Sequence, residues 1–357
     1  MANQQVTQLP QTPTGEDLEQ LKIEKNRALA ASCCLDPTID YGEPKYVFSR
    51  KGVGFAPLGD IQMIKAPQKN GKTFLFALLM GAMLKGEYLG IKCEIEHPRL
   101  LYIDTEQHPR NTQLVYRRAC RIANIDGRAR HLDFQAYHFR GKQPEEIASS
   151  LFQLIDDFRP TVVFLDGTRD IINDFNDQQE SAAMIRRLMD KALERDCSIW
   201  NIIHVNPGTD KARGHLGTEA QNKVSDAFLC LKEKTADGVI FTVQHTDTRN
   251  KDIEDWSFQI QDVPESENRF LAIPVQTHIS IKSKTTANET MGRALTNDHL
   301  RYSDLVDRVM EVAQVKKTKA KELIGDAINS GIIVKDPVFG KYRYVGLDLP
   351  NEDEMPF

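Results

Sequence analysis

The sequence contains no long hydrophobic run. Its longest apolar stretch, Phe74–Leu84, falls well short of the roughly 20 residues a membrane-spanning helix needs, so no membrane association is expected. Residues 1–14, rich in Gln, Thr and Pro, have no apolar core either and read as a disordered tail rather than a signal peptide. Cysteine is scarce and unpatterned. Cys33, Cys34, Cys93, Cys120, Cys197 and Cys230 show no C-x-x-C spacing, which reads as reduced, mostly buried thiols of a cytoplasmic protein. An excess of charge of one sign is lacking too. With 46 Lys+Arg against 51 Asp+Glu the formal net charge is −5, so there is no global nucleic-acid signature and any basic surface must be local. A hydrophobic content of 40% and a charged content of 27% are those of a soluble globular protein, and 357 residues suffice for one large domain plus a small one.

What the sequence does have is the stretch Lys65-Ala66-Pro67-Gln68-Lys69-Asn70-Gly71-Lys72-Thr73. It follows a short apolar run, Ile61 to Ile64, and opens an apolar helical segment. Strand, glycine-containing loop, Lys-Thr and helix is the context of a phosphate-binding loop. Backbone N–H groups of such a loop and of the helix start point at an anion, and the helix dipole favours negative charge there. Lys72 then reaches the β/γ-phosphates and Thr73 offers a hydroxyl to Mg²⁺. The first position of the pattern holds Ala66 rather than Gly, which puts a positive φ there in question.

Beyond the loop, strand-like and helix-like patterns alternate. Leu100–Asp104, Leu132–Tyr137, Thr161–Asp166 and Ser198–His204 read as strands. Segments at about 111–123, 144–158 and 178–194 have helical spacing. Such alternation predicts an α/β fold with a mostly parallel sheet. Residues 205–222, rich in Gly and polar side chains, read as a loop. Runs at Ala227–Leu231, Val239–Val243 and Trp256–Ile260 read as strands extending the sheet antiparallel. An N-terminal helix is expected to about Ser32.

Three polar residues stand at strand ends. Asp166 closes a buried strand, where a Mg²⁺-associated acid belongs, although a strand-end Asp can also merely cap the next turn. Glu106 lies just past the strand after the loop helix and reads either as a carboxylate serving the γ-phosphate or as a solvated loop acid. His204 ends the next strand, as a γ-phosphate sensor or a structural histidine.

With these residues in place, the chain resembles the RecA-like P-loop ATPases of the ring-helicase branch, which includes plasmid replicative helicases and mobile-element AAA ATPases. The resemblance rests on Ala66–Thr73, Leu101–Glu106, Val162–Asp166, Ile202–His204, the Arg213–Gly217 stretch and Val224–Ala227, and covers about residues 45–262. It implies a RecA-like P-loop NTPase core, with ATP and Mg²⁺ as cofactors. ATP would be held by Ala66, Pro67, Gln68, Lys69, Asn70, Gly71, Lys72 and Thr73, and the metal by Thr73 and Asp166. Glu106 would polarise the attacking water, with Lys72, Asp166 and His204 completing the catalytic group. Relatives in that branch usually share sites between subunits of a ring, so the resemblance implies a homo-oligomer, with a hexamer as one candidate size. A basic residue of the neighbour, commonly from a Lys-x-Arg pair, completes each site. Here Asp247-Thr248-Arg249 keeps only the Arg, so Arg249 is the candidate finger and Lys251 the runner-up. The loop carrying Lys211 and Arg213 corresponds to one that contacts single-stranded DNA in the ring pore.

The chain closes with a compact unit. Helical patterns at Tyr302–Ala313 and Thr318–Ser330 precede two short strands flanking Pro337–Gly340, an order that resembles a winged helix. Region 301–346 holds nine Lys/Arg against six Asp/Glu, and Lys316, Lys317, Lys319 and Lys321 cluster at a helix N-terminus, where duplex phosphates can be bound. The expected division is a tail and helix over 1–40, an ATPase domain over 41–281, a linker over 282–300, the winged-helix-like unit over 301–346 and an acidic tail over 347–357. That tail ends Glu352-Asp353-Glu354-Met355-Pro356-Phe357, resembling the acidic tip of bacterial single-stranded DNA-binding proteins, and implies host proteins that recognise such a tip as partners. The sequence thus points to a DNA-associated, Mg²⁺-dependent ATPase, helicase- or translocase-like, in plasmid or mobile-element DNA. A nucleotide-switched DNA-binding regulator or initiator without unwinding is the alternative.

Overall fold

The computed structural model describes residues 15–206, 209–235, 238–266, 269–277, 287–295, 299–313, 315, 317–329, 332–336 and 339–345. In chain order the first elements are α1 (Gly15–Ser32), β1 (Tyr46–Arg50), β2 (Val53–Pro57), β3 (Ile61–Ala66), α2 (Lys72–Lys85), β4 (Glu87–Tyr88), β5 (Ile91–Cys93) and β6 (Leu100–Asp104). There follow α3 (Pro109–Ala123), β7 (Phe134–His138), α4 (Pro144–Phe158), β8 (Val162–Asp166), a 3-10 turn (Thr168–Ile171), α5 (Gln178–Arg195), β9 (Ser198–His204), α6 (Gly214–Lys223), β10 (Asp226–Thr235) and β11 (Gly238–Thr248). The described chain divides into two units. One holds the residues up to Leu229 together with Gln244–Glu254; the other holds Cys230–Val243 and the residues from Asp255 on.

In the first unit the strands run parallel in the order β10–β3–β9–β8–β6–β7. Strands β3, β6 and β8 are buried along their whole length, as unbroken apolar runs covered on both faces must be. Local signals set the helix starts: Pro109 and Pro144 occupy first turns, and the Asp177 carboxylate accepts from Glu180 N at 2.7 Å. One face of the sheet is aliphatic, with Ile61, Met63, Ile103, Leu165 and Ile199 packed against Leu151 and Ile155 of α4 and Ile185 and Leu188 of α5. The other face is aromatic. Trp200 stacks on Phe164 (6.2 Å) and on Phe228 (5.5 Å), and Phe48 of a small antiparallel sheet, β2–β1–β5–β4, meets Trp200 edge-on at 6.0 Å. Each such pair adds about 0.5–1.5 kcal/mol beyond area burial.

Several expectations are corrected here. Residues 205–222 are not loop throughout, because α6 begins at Gly214. Leu216 and Ala220, one helical turn apart and both buried, carry its inward face, with Val224 a further turn on. A helix between β9 and β10 makes a crossover, so β10 joins β3 in parallel rather than antiparallel. The thiols are free, but Cys33 and Cys34, which directly follow α1, are exposed.

In the second unit β12 (Trp256–Ser266) pairs antiparallel with β11 and with β13 (Arg269–Gln276). The sequence reading has no counterpart to β13, whose Pro274 weakens a strand pattern; a strand at a sheet edge tolerates it. The expected linker contains α7 (Ala287–Ala294), because Met291, Ala294 and Leu295 recur at helical spacing within polar surroundings and enter a core. That core also takes Leu305 and Val309 from α8 (Tyr302–Ala313) and Ala320 and Ile324 from α9 (Lys317–Asn329). The hairpin β14 (Ile333–Lys335) and β15 (Tyr342–Tyr344) completes the unit. Lys316 and the tip Glu352–Phe357 lie outside the described residues. No helix among the described residues is long and apolar enough to cross a membrane.

Candidate nucleotide and metal site

Parallel strands bring the candidate residues to one edge of the sheet. Ala66 at the end of β3 is opposite His204 at the end of β9, and Asp104 at the end of β6 is opposite Asp166 at the end of β8. Carboxyl ends of parallel strands are where ligands sit in open α/β sheets. The turn after β3 does not need a left-handed Ala66; positive φ falls instead on Lys69 (61°) and Gly71 (84°). Gly71 caps α2 without a side-chain cap hydrogen bond, and the first turn holds no acid, which suits an anion at that helix start.

Lys72 is buried. Its Nζ donates to the carbonyls of Ala66 (3.4 Å) and Pro67 (3.1 Å) and to Nδ1 of His204 (3.0 Å). The Thr73 hydroxyl donates to Oδ2 of Asp166 at 3.0 Å. The same carboxylate oxygen accepts from Tyr102 Oη (3.3 Å) and Gln107 Nε2 (3.3 Å). Asp104 is held by Tyr102 (3.2 Å), by Thr112 (2.8 Å) and by the backbone N–H groups of Glu106 and Gln107. Burial, and next the charges of Asp104 and Glu106, push the Asp166 carboxyl up to about 7, against the Thr73 hydrogen bond and Lys72. Burial likewise raises Asp104 and carries the Tyr102 phenol well above its ordinary range. Glu106 behaves oppositely: His204, with Nε2 at 3.8 Å from Oε1, and then Lys72 and Arg169, hold its carboxyl below the usual range despite burial.

These residues fit a hydrated divalent cation. Thr73 and Asp166 supply hard oxygen donors side by side. Among the described residues no group of three or more His, Cys, Asp or Glu forms a protein cage. Mg²⁺ is commonly held this way, by one or two protein oxygens plus substrate phosphates and water.

The sequence reading missed the supporting residues. Tyr102, Asp104, Gln107 and Thr112 form the hydrogen-bonded floor under Asp166; the polar run Asp104-Thr105-Glu106-Gln107 after an apolar strand was the available signal. Thr105 donates to Asp170 Oδ2 (2.8 Å) and packs so closely on Gly167 that a Cβ there would lie 1.9 Å from its Oγ1. Beyond His204 the chain folds back: Asn206 N donates to Lys211 O (2.9 Å) and Arg213 N to the carbonyl of His204 itself (2.8 Å). Lys211 and Arg213 are exposed.

Arg249 is not near Lys72. Its backbone N donates to Ser225 O, Ser225 N donates to Ile61 O at the start of β3, and Nη2 donates to Lys223 O at 2.9 Å. Nη1 lies 3.8 Å from Asp60. That is the opposite edge of the sheet, about 20 Å from the phosphate loop along six-residue β3. Asp247, where a finger Lys was expected, instead accepts from buried Lys65 (3.2 Å) and from Gln221 (3.3 Å). Lys317 and Lys319 are exposed on the first turn of α9.

No curated protein matches the sequence. Residues 49–210, the span from β1 through the strand-end residues to the start of the basic loop, match the family model of an AAA domain.

Proposed function

We propose that the chain is a Mg²⁺-dependent ATPase that acts on DNA, helicase- or translocase-like, in plasmid or mobile-element replication or mobilisation. The observation that carries the chemistry is the convergence of Lys72, Thr73, Asp166, Glu106 and His204 at the start of α2. Lys72 binds and neutralises terminal phosphates. Thr73 and Asp166 would hold the cation, which supplies charge neutralisation on the phosphate oxygens. Glu106, kept ionised by His204, orients the attacking water and takes its proton. His204 touches Lys72, faces Glu106, and through its own carbonyl holds Arg213, so the state of the phosphate site reaches the basic loop within one residue. Lys211 and Arg213 offer sequence-independent phosphate contacts to single-stranded DNA. The α8–α9–hairpin unit, read as a winged helix, presents Lys317 and Lys319 to duplex DNA. A homo-oligomer, for which a hexameric ring is one form, with sites shared between subunits completes the reading.

A second reading, a nucleotide-switched regulator without unwinding, is favoured by Arg249, whose guanidinium is engaged by Lys223 and Asp60 of its own chain. ATP turnover measured with no DNA, single-stranded DNA and duplex separates the two. Strong stimulation by single strands supports a translocase. A rate indifferent to all DNA, with duplex binding retained, supports the regulator.

A further inference from the structure

A large cavity that includes no phosphate-loop residue in its lining lies on the free edge of the first unit's sheet. It encloses about 840 Å³ between α3, the turn at residues 127–132 and β7. That volume is within the range that holds a ligand the size of a nucleotide or larger. Its lining is unusual in charge. Arg117, Arg128, Arg130, His131 and His138 border it, and no carboxylate does. The two acids nearest in sequence are turned to other work: Asp126 accepts from the backbone N of Arg128 (2.9 Å), and Asp133 pairs with Arg99 (3.5 Å). Arg128 and Arg130 are exposed. One wall is aromatic, with Tyr116 stacked on Phe134 at 4.4 Å and Tyr137 beside them in the lining.

The strand supplies donors as well. Strand β7 ends the sheet, and its neighbour β6 is bonded through Leu100 N to Asp133 O and Phe139 N to Asp104 O. With the parallel register Leu100↔Phe134 through Asp104↔His138, the alternation directs the N–H groups of Ala136 and His138 away from β6, toward the cavity side. Guanidinium groups, open backbone N–H groups and flat rings around one concavity, without an opposing carboxylate, match a ligand that carries both phosphates and planar bases.

We propose that this cavity is a second ligand site, which binds the phosphate-and-base chemistry of a nucleic-acid single strand, with Arg128 and Arg130 on its phosphates. A free nucleotide carries the same chemistry, and the probes below tell the two sources apart. A strand-adding peptide would need the edge but not the cations, and is the competing occupant. The proposal does not rest on the ATPase reading: Arg128 and Arg130 lie outside the phosphate loop, and the lining shares with the floor under Asp166 the residue Thr112.

The test uses the full chain with Arg128→Ala and Arg130→Ala combined, both residues being exposed and so tolerant of truncation. Binding of a labelled oligothymidylate is followed by fluorescence anisotropy across a potassium chloride series. Affinity is expected to fall about tenfold at low salt, and the log–log salt slope to shrink by roughly 1.4, for two phosphates at about 0.7 each. DNA-independent ATP turnover stays unchanged. A labelled mononucleotide is titrated in parallel in a Lys72→Ala background, which silences the phosphate loop. Loss of mononucleotide binding alone assigns the site to free nucleotide and upholds the shared chemistry. Unchanged binding of both probes, or no binding of either by the parent proteins, overturns the proposal. A changed oligomeric state by light scattering with oligonucleotide binding intact also overturns it, in favour of a peptide.

Discussion

The amino group of Lys72 donates to Nδ1 of His204 at 3.0 Å, which places a strand-end histidine in direct contact with the lysine of the phosphate loop. The other nitrogen of that ring faces Glu106 at 3.8 Å, so one imidazole lies between the phosphate-binding cation and the carboxylate next to it. Bound phosphate competes for Lys72, and the ring then loses one of its two restraints. His204→Ala is therefore expected to keep nucleotide binding within a few-fold, while ATP turnover becomes equal with and without single-stranded DNA. ATPase assays in both conditions check this; stimulation that survives in His204→Ala removes the residue from the coupling path.

Glu106 and Lys72 separate binding from chemistry. Lys72→Ala should abolish nucleotide binding, because it removes the buried amino group of the phosphate loop that would meet the terminal phosphates. Glu106→Gln should bind normally and lose turnover by about 10²–10⁴, the usual yield of a positioned general base. Nucleotide titration alongside steady-state turnover distinguishes the two. Wild-type turnover in Glu106→Gln would move the base elsewhere.

Much of this edge was legible because its signals are local. The phosphate loop is a contiguous pattern between a strand and a helix, and buried strands such as Thr161–Asp166 announce themselves by unbroken apolar composition. What escaped is held together across the chain. Asp104 and Asp166 are 62 residues apart in sequence yet share the Tyr102 hydroxyl, and no local pattern marks that meeting. Helix α6 escaped for another reason. Gly214 and Gly217 gave its start a loop composition, while only Leu216 and Ala220 carried the periodic signal. Met291 and Leu295 were similarly masked in α7 by polar neighbours.

Asp166 makes stability depend on pH in the metal-free protein. Its folded value of about 7 lies above the ordinary 3.8, so the folded state holds the proton more tightly than the unfolded chain between those values. Stability is then lost as pH rises from about 4 to about 7, by an amount on the order of a few kcal/mol. With chelator present, the melting temperature should fall across that window, and Asp166→Asn should flatten the fall. Adding Mg²⁺ with nucleotide should restore the melting temperature at pH 8. A metal-free protein whose melting is independent of pH from 5 to 8 would contradict the burial-driven shift.

Gly167 ties the strand-end acid to the turn that follows it. Its φ is +109° and a Cβ would sit 1.9 Å from Thr105 Oγ1, so Gly167→Ala is both strained and overpacked. The expected cost is about 2–4 kcal/mol, with reduced turnover because Thr105 and Asp166 must shift together. Thermal unfolding and ATPase assays report the two effects. A variant as stable as the parent would mean that Thr105 rotates away freely, and the Thr105–Asp170 contact would lose its importance.

Arg249 tests whether the site is shared between chains. It sits at the opposite sheet edge from Lys72, with Lys223 O at 2.9 Å and Asp60 at 3.8 Å, so it cannot reach the phosphates bound by its own chain. Its side chain remains about half exposed, which leaves it able to face a neighbouring subunit. In a head-to-tail assembly each site would take Lys72 from one chain and Arg249 from the next. Lys72→Ala and Arg249→Ala chains should then each be inactive alone. Random mixing of the two in equal amounts leaves about a quarter of the interfaces with both residues intact, so roughly that share of parental turnover should return. Assembly of mixed oligomers is verified by differently tagged chains. If mixed oligomers form and no turnover returns, Arg249 is not the shared residue, and Lys251 becomes the one to mutate. If Arg249→Ala alone keeps parental turnover, the residue serves only its contacts with Asp60 and Lys223, which hold the start of β3 against the end of α6.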